Sequence, residues 1–298
     1  MTKKSASFSS LQFNDQRLVR FGLSASAAYP IYFGVEVSHD GNPTILPSVG
    51  GITYNVQVGH SAFGWAADHV EPGISLGLEE NKKNNIKALH HFACIGNDVR
   101  IISGQAKGAK GIVVGHHGGV NHVMVDFPLS ILQKVSYEDK FMIEAYGMGL
   151  KSSAFPSVVF RNLDPRLAKK IFLPTGDRLG VAVKTFVGAE LMGSGLGQVD
   201  ASAGDFDIQT SDLQAVKKYQ LESLCLGDVV CLMDFTHEYG WSYRQGYVTF
   251  GVIIHGNSTL SGHGPGVATI CSGPKSVFNT KQKSSANIGV YSKCGVYR

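Results

Sequence analysis

Glycine is the residue that most restricts what this chain can become: 36 of its 298 residues are Gly against 10 Pro, and they fall between short β-branched and aromatic runs. Gly at that density supplies turns and close backbone packing, and it breaks long helices. The chain therefore reads as mainly β with a few short helices, an α+β arrangement of small barrels or sandwiches. Strands are expected at Leu18–Gly22, Ile31–Val37, Ile52–Val58, Val99–Ser103, Gly111–Gly115, His122–Phe127 and Phe141–Tyr146. Further strands fit Val158–Asn162, Leu179–Val187, Val229–Asp234, Tyr247–His255 and Val267–Ser272.

A small device recurs ahead of three of these runs. Gly96-Asn97-Asp98, Gly176-Asp177 and Gly227-Asp228 each place Gly beside an Asx residue, a pairing that turns the chain and launches a strand. Helices are expected at Pro128–Val135, at Pro165–Ile171 with Asp164 as N-cap, and at Ser211–Tyr219 with Ser211 as N-cap. The segment Ser103–Gly111 between two strands resembles the turn of an SH3/KOW-like element. Division falls in the helix-bearing stretch, giving a β-rich half over 1–135 with the SH3/KOW-like element and a second over 136–298 with Gly/His loops.

Charged residues are only 17% of the chain and hydrophobic residues 43%, which excludes global disorder and allows a sizeable core. The net charge is +4, and the Lys pairs at 3–4, 82–83, 169–170 and 217–218 are scattered, so nucleic acid is not the favoured partner. No apolar run reaches the roughly 18 residues of a membrane span, and Met1–Phe13 is polar and Ser-rich, unlike a secretory signal. Five cysteines with no C-x-x-C pair suit reduced thiols. The expectation is a cytoplasmic protein, taken to be a homo-oligomer, with a small-molecule ligand or substrate and no membrane partner.

Chemistry concentrates in loops. Asp68, His69 and Glu71 lie within four positions of one another ahead of Pro72-Gly73. Imidazole and carboxylate at that density can bind a divalent metal or pass a proton. Asp234 and His237 follow a strand, with Arg244 close behind; Trp241 stands where the H-E-x-x-H zinc motif needs its second His. His255 and His263 flank a loop of small residues in which Gly262 and Gly264 allow close approach of a ligand. Gly193, Ser194 and Gly195 form another small-residue loop that matches neither a phosphate loop nor a serine elbow, and it is read as ligand-binding. Asp205 and Asp207 alternate along a strand and so face one side, where paired carboxylates can hold a cation. His116 and His117 are adjacent on a strand and point to opposite faces, so at most one of them joins a given site.

The candidate metal ligands are thus Asp68, His69, Glu71, Asp234, His237, His255 and His263, with His69, His237 and His263 as proton carriers. Gly193, Ser194, Gly195, Arg244, Gly262 and Gly264 are the candidate ligand-binding set. A shared site requires the four His residues to lie within about 10 Å of a common centre.

Several stretches together resemble an uncharacterised prokaryotic family with a two-part domain of unknown function: Pro47–Ile52, Asp68–Gly73, Ala106–Gly111, Met192–Gly197 and Ser261–Gly266. The resemblance runs from about residue 15 to about residue 280, implies a compact β-rich fold, and carries no activity. Ala189–Gly193 through Asp205 is also similar to a motif of the acetamidase/formamidase group, without the His that the motif holds. The function expected is a metal-assisted enzyme acting on a small polar metabolite, with C–N bond hydrolysis as one outcome. The alternatives are a non-catalytic small-molecule binding protein, which needs the same pocket without a convergent metal, and a structural or RNA-associated β-barrel.

Overall fold

A computed structural model describes residues 10–78 and 83–298. Residues 1–9 of the Ser-rich start, with Lys3 and Lys4, and Lys82 lie outside the described residues. The fold is mainly β, as the Gly-punctuated sequence implies.

Six strands close a barrel: β1 (Phe21–Ala27), then, past a small hairpin β2 (Glu36–Val37) and β3 (Pro43–Thr44), β4 (Ile74–Gly77) and, after helix α1 (Lys83–Phe92), β5 (Asp98–Ile101), β6 (Lys110–His117), β7 (His122–Asp126) and, beyond α2 (Leu129–Leu132), β8 (Lys140–Ala145). Their order around the barrel is β1-β4-β7-β6-β5-β8, every pairing antiparallel. Inward side chains such as Leu76, Val99, Ile101, Val113, Val125, Phe141 and Ile143 fill it completely, so it is a packed core and encloses no channel. The turn Ser103–Lys110 joins β5 to β6 where the SH3/KOW-like element was expected.

The rest of the chain continues through β9 (Val159–Phe160), α3 (Pro165–Ile171), β10 (Phe172–Thr175), β11 (Arg178–Val183), β12 (Phe186–Val187), β13 (Phe206–Asp207), α4 (Leu213–Lys218), β14 (Val229–Thr236), β15 (Ser242–Ile253), β16 (Gly266–Pro274), β17 (Phe278–Gln282) and α5 (Ile288–Ser292). One sheet runs β12-β14-β15-β16-β13, with β9 pairing on β16; a second runs β10-β11-β17. The unbroken apolar run of β14 has a physical reason. Val229 and Cys231 belong to one core, while Val230 and Leu232 belong to the other. A strand buried on both faces cannot alternate.

The Gly–Asx device works as the sequence implies: Gly96, Gly176 and Gly227 have φ of +99°, +66° and +86° just ahead of β5, β11 and β14. Asp164 caps α3, accepting from Arg166 N at 2.7 Å. The cap of α4 is Asp212 in place of Ser211, because its carboxylate reaches both Gln214 N and Ala215 N. Other expectations fail for identifiable reasons. Ile52–Val58 forms only a single bridge, Ile52 to Ile74, and then turns, since Val56 and Val58 are drawn into two different cores. Of Ile31–Val37 only Glu36–Val37 is strand, and β1 begins three residues later than expected and runs through small Ser and Ala residues with weak β-propensity. No helix among the described residues is long and apolar enough to cross a membrane.

The barrel meets the second half along β6. A Cβ at Gly115 would lie 2.6 Å from the Ile254 side chain, so only Gly lets β6 approach the end of β15 closely enough to bring His117 against His255.

Candidate metal centre

Four segments converge where β6, the 68–73 loop, β13 and the 255–266 loop meet. The 62–70 segment is tied to the last loop by backbone bonds: Asn257 N to Ala62 O at 2.7 Å and Gly256 N to Val70 O at 2.9 Å. His69 sits in this tie with φ of +50°, a conformation uncommon for a residue with a Cβ. It turns the ring toward Asp207: Nε2 lies 3.4 Å from Asp207 Oδ2 and 3.0 Å from His263 Nδ1. Its Nδ1 is paired with the Asp68 carboxylate.

His255 is fully buried. Its Nδ1 lies 2.8 Å from the Gly256 carbonyl oxygen, which can only accept, so this nitrogen carries a proton, with Gly266 N at a longer 3.3 Å. In the neutral ring that leaves Nε2 as a lone pair 3.0 Å from Asp205 Oδ2 and 3.3 Å from Asp207 Oδ1, with no hydrogen-bond partner. Three lone-pair donors facing one another out of water repel unless a proton or a cation lies between them. Burial pushes the imidazole toward its neutral form, but Asp205 and Asp207 outweigh it and hold the group well above the usual histidine range. Burial likewise pushes Asp207 up, and His255, His263 and His69 outweigh it, holding the carboxyl well below its usual range. A Cβ on Gly266 would fall 2.1 Å from His255 Nε2 and 2.3 Å from Asp205 Oδ2, so Gly keeps the floor of the site open.

His117 enters from β6. Its ring stacks on His255 at 4.4 Å between centroids, and its Nδ1 donates to Glu71 Oε1 at 2.6 Å. Glu71 also accepts from His122 at 3.0 Å, from Gly50 N at 2.8 Å and from Ser75 Oγ. Its burial raises the carboxyl's pKa, and His122 and His117 more than reverse this. With these donors on its two oxygens, Glu71 is an orienting partner and has no lone pair to spare for an ion. Asp205 Oδ1 accepts from Gly118 N at 2.7 Å.

Two overlapping sets result, His69–Asp207–His255 and His117–Asp205–His255; within each, the ligand atoms lie within 4.8 Å of one another. In all three histidines Nδ1 is held, twice by a carboxylate and once by a carbonyl, which leaves Nε2 for the centre. That is the outer-shell arrangement that fixes the tautomer and orientation of metal-bound imidazoles. Imidazole with carboxylate suits first-row transition ions better than Mg²⁺ or Ca²⁺. These residues therefore fit a metal ion, through an orphaned buried nitrogen and a donor set of matching chemistry.

The centre opens into a cleft of about 630 Å³ whose lining includes His69, His117, Asp205, Asp207 and His263 together with Lys87 and Gln198. His263 donates Nδ1–H to Asp207 Oδ2 at 2.7 Å and is the most exposed histidine of the cluster. Ser194 and Gly195 line the cleft, and the loop frames Asp207: Gly193 N donates to Asp207 O at 2.8 Å, Asp207 N to Ser194 O at 2.9 Å and Ser194 N to Gly262 O at 2.8 Å. Gly264 packs against the Ile208 carbonyl and gives the 255–266 loop its close fit to β13.

Of the sequence candidates, the structure brings together Asp68, His69, Glu71, His255 and His263, with the Gly193–Gly195 and Gly262–Gly264 loops. It places Asp234, His237 and Arg244 elsewhere. Asp234 occupies a bulge of β14 with φ of +53°, and its Oδ1 accepts from Gly246 N at 2.8 Å. His237 donates Nε2–H to Val159 O at 3.1 Å, and burial, followed by the Arg161 charge, lowers its pKa to about 3. Arg244 pairs with Glu238 and lies 3.6 Å over the Tyr247 ring. His116 points away from His117 and packs on His90 at 5.4 Å between centroids, and burial pushes both rings toward the neutral form. Sequence reading missed His122 as the second imidazole on Glu71. The signal was the tight hairpin after His117, which sets His117 and His122 opposite each other.

Two family profiles cover most of the chain. "Domain of unknown function (DUF4438), N-terminal" matches residues 35–169, and "Domain of unknown function (DUF4438), C-terminal" matches residues 170–291. A solved structure described as "Crystal structure of TM1086" superposes with a TM-score of 0.90 at 39% identity, covering 95% of this chain and 99% of that one. No curated protein matches.

Proposed function

The chain belongs to the DUF4438 family, and from the centre it carries we propose a metal-assisted enzyme acting on a small polar metabolite, with hydrolysis of a C–N bond as the reaction class. The observation that carries the reading is the unpartnered, buried Nε2 of His255 facing the carboxylates of Asp205 and Asp207. His69, Asp207 and His255, or His117, Asp205 and His255, would hold the ion. Asp68 and Glu71 orient His69 and His117 through Nδ1. A transition ion held there would supply Lewis acidity toward a carbonyl and would acidify water.

The chain's own groups divide the remaining work. His263, at the mouth of the cleft and bonded to Asp207, stands where a proton must pass to or from a leaving nitrogen. Ser194 and Gln198 offer hydrogen bonds to the rest of a polar substrate. Most side chains lining the cleft are polar or charged, which suits a small hydrophilic molecule better than an apolar one.

Elemental analysis of untagged protein, purified without chelator, tests the reading. One equivalent of Zn, Mn, Fe, Co or Ni is expected, and none in a His69→Ala/His255→Ala variant that still folds. A wild-type protein that takes up none of these ions after incubation and dialysis refutes it. Retention of metal then justifies a screen of small amides and esters.

A further inference from the structure

Between the barrel strands β1 and β4 the chain leaves the body as an arm, residues 29–54, that includes the β2–β3 hairpin. Six of its apolar side chains are largely in water, whereas Val49, where it returns to the body, is buried. Tyr29, Tyr32, Phe33, Val35, Val37 and Ile45 are between 51% and 74% exposed. The hairpin register pairs Glu36 with Thr44 and Val37 with Pro43, and continued by one residue it sets Val35 opposite Ile45. Side chains alternate across a strand, so Val35, Val37, Pro43 and Ile45 share one face. A two-stranded hairpin with one wholly apolar face is marginal by itself and needs that face packed.

The occupant can be argued from area and charge. Aromatic side chains carry about 150–250 Å² each, so the exposed fractions of these six residues leave roughly 600–800 Å² of mainly apolar surface in water. That lies at or above the roughly 300–600 Å² of the largest patch on an ordinary monomer and approaches the roughly 800 Å² each partner gives to a standard interface. Residues 29–54 contain Glu36 and Asp40 and no Lys or Arg. A face that lies on anionic lipid is bordered by Lys and Arg. An uncharged apolar face is complementary to itself, as a two-fold contact demands.

We propose that the arm is the contact surface of a homodimer, with the Val35–Val37–Pro43–Ile45 face and the flanking Tyr32 and Phe33 packed against the same residues of a second copy. The arm also touches the metal centre's supports. Asp68 N donates to Pro47 O at 2.9 Å, Gly50 N donates to Glu71 Oε2 at 2.8 Å, and His39 N donates to Thr259 O at 2.7 Å. Seating the arm on a second copy therefore steadies the loops that carry Asp68, Glu71 and the 255–266 segment.

Sedimentation velocity on the full chain at micromolar concentration tests the proposal, with a Val35→Ser/Val37→Ser/Ile45→Ser variant beside it. The wild type is expected as a dimer and the variant as a monomer with an unchanged circular dichroism spectrum. Hydroxyl-radical footprinting of the wild type needs no variant to fold. Tyr32 is expected to react several-fold slower than Tyr239 and Tyr243, which are 89% and 65% exposed and lie away from the arm. A monomeric wild type, a variant that stays dimeric, or Tyr32 labelled as fast as Tyr239 overturns the proposal. So does recruitment to phosphatidylserine vesicles by a chain that remains monomeric.

Discussion

His255 and His237 are both fully buried, both sit at or just past the ends of long strands of one sheet, and both are followed by a polar residue-rich loop, yet the fold treats them in opposite ways. His255 faces two carboxylates and is pushed well above the usual histidine range. His237 faces a backbone carbonyl, with Arg161 nearby, and is pushed to about 3. Burial costs the charged form in both. What separates them is the sign of the charge in the wall. A buried imidazole among carboxylates is a place for a cation, whereas one against a carbonyl and a guanidinium is a neutral hydrogen-bond donor that ties strands together.

The strongest way to break that comparison is to remove His255. In His255→Ala, Asp205 and Asp207 face each other in the interior with one fewer neutralising group. Metal content is expected to fall to background, and metal-free stability to drop by about 3–5 kcal/mol, the usual cost of uncompensated buried charge. Elemental analysis and chemical denaturation in chelator measure the two effects. A second change, Asp205→Asn, is expected to recover part of the stability and none of the metal. A His255→Ala protein that binds the ion with wild-type affinity would remove His255 from the ligand set.

His237 predicts a pH effect of a different kind. Folded, it stays neutral down to about pH 3; unfolded, it takes a proton near 6.5. Between those values the unfolded chain holds the extra proton, so stability rises with pH across the window and is lost as pH falls through it. The slope from one such group approaches about 1.4 kcal/mol per pH unit, or about 2–3 kcal/mol between pH 6.5 and 4.5. His237→Gln is expected to flatten the curve by that amount and to leave metal stoichiometry unchanged. Denaturation midpoints at a series of pH values, wild type against variant, decide it.

A finer test lies in the outer shell. Glu71→Gln keeps the shape and removes the charge that orients His117 and His122. A weakening of metal affinity of about 10–100-fold is expected, with the ion still bound at saturation. Competition with a chromophoric chelator measures this. Complete loss would make Glu71 a ligand, contrary to its hydrogen-bond partners.

These contrasts also show what the sequence could reveal. The strand–turn grammar was legible because Gly–Asx pairs and β-branched runs act locally: β6, β7, β14 and β16 fall where those signals put them. Face alternation was legible too, and it placed Asp205 with Asp207 and separated His117 from His116. Helix α1 was not, since Lys83–Phe92 is mostly Lys, Asn and His and buries few apolar side chains. Nor could local pattern distinguish His237 from His255. Asp234–Glu238 and His255–His263 each offer imidazole near polar groups or glycines at a strand end. The difference arises from residues far away in the chain: Gly115 lets the barrel come close to His255, and β13 delivers two carboxylates, whereas His237 receives Val159 and Arg161. Long-range packing decides which loop becomes a centre.

The smallest expected effect is the one that checks the boundary between the two regions. Arg244 was grouped with the ligand-binding residues on sequence grounds, and in the fold it lies on the strand that pairs with the β14 bulge, beside Glu238 and over Tyr247. Both contacts are near solvent. An exposed ion pair contributes about 0–1 kcal/mol and an exposed cation–π contact about 0.5–1 kcal/mol. Arg244→Ala should therefore cost at most about 1–2 kcal/mol of stability, less at high salt, since the ion-pair part is screened. It should leave metal content and metal affinity at the wild-type level. Salt-dependent denaturation, run beside the chelator competition, reads both quantities on one preparation. If Arg244→Ala weakened metal binding as much as Glu71→Gln does, the Asp234–Arg244 segment would be energetically coupled to the centre. The division drawn between His237 and His255 would then have to give way to a single extended site.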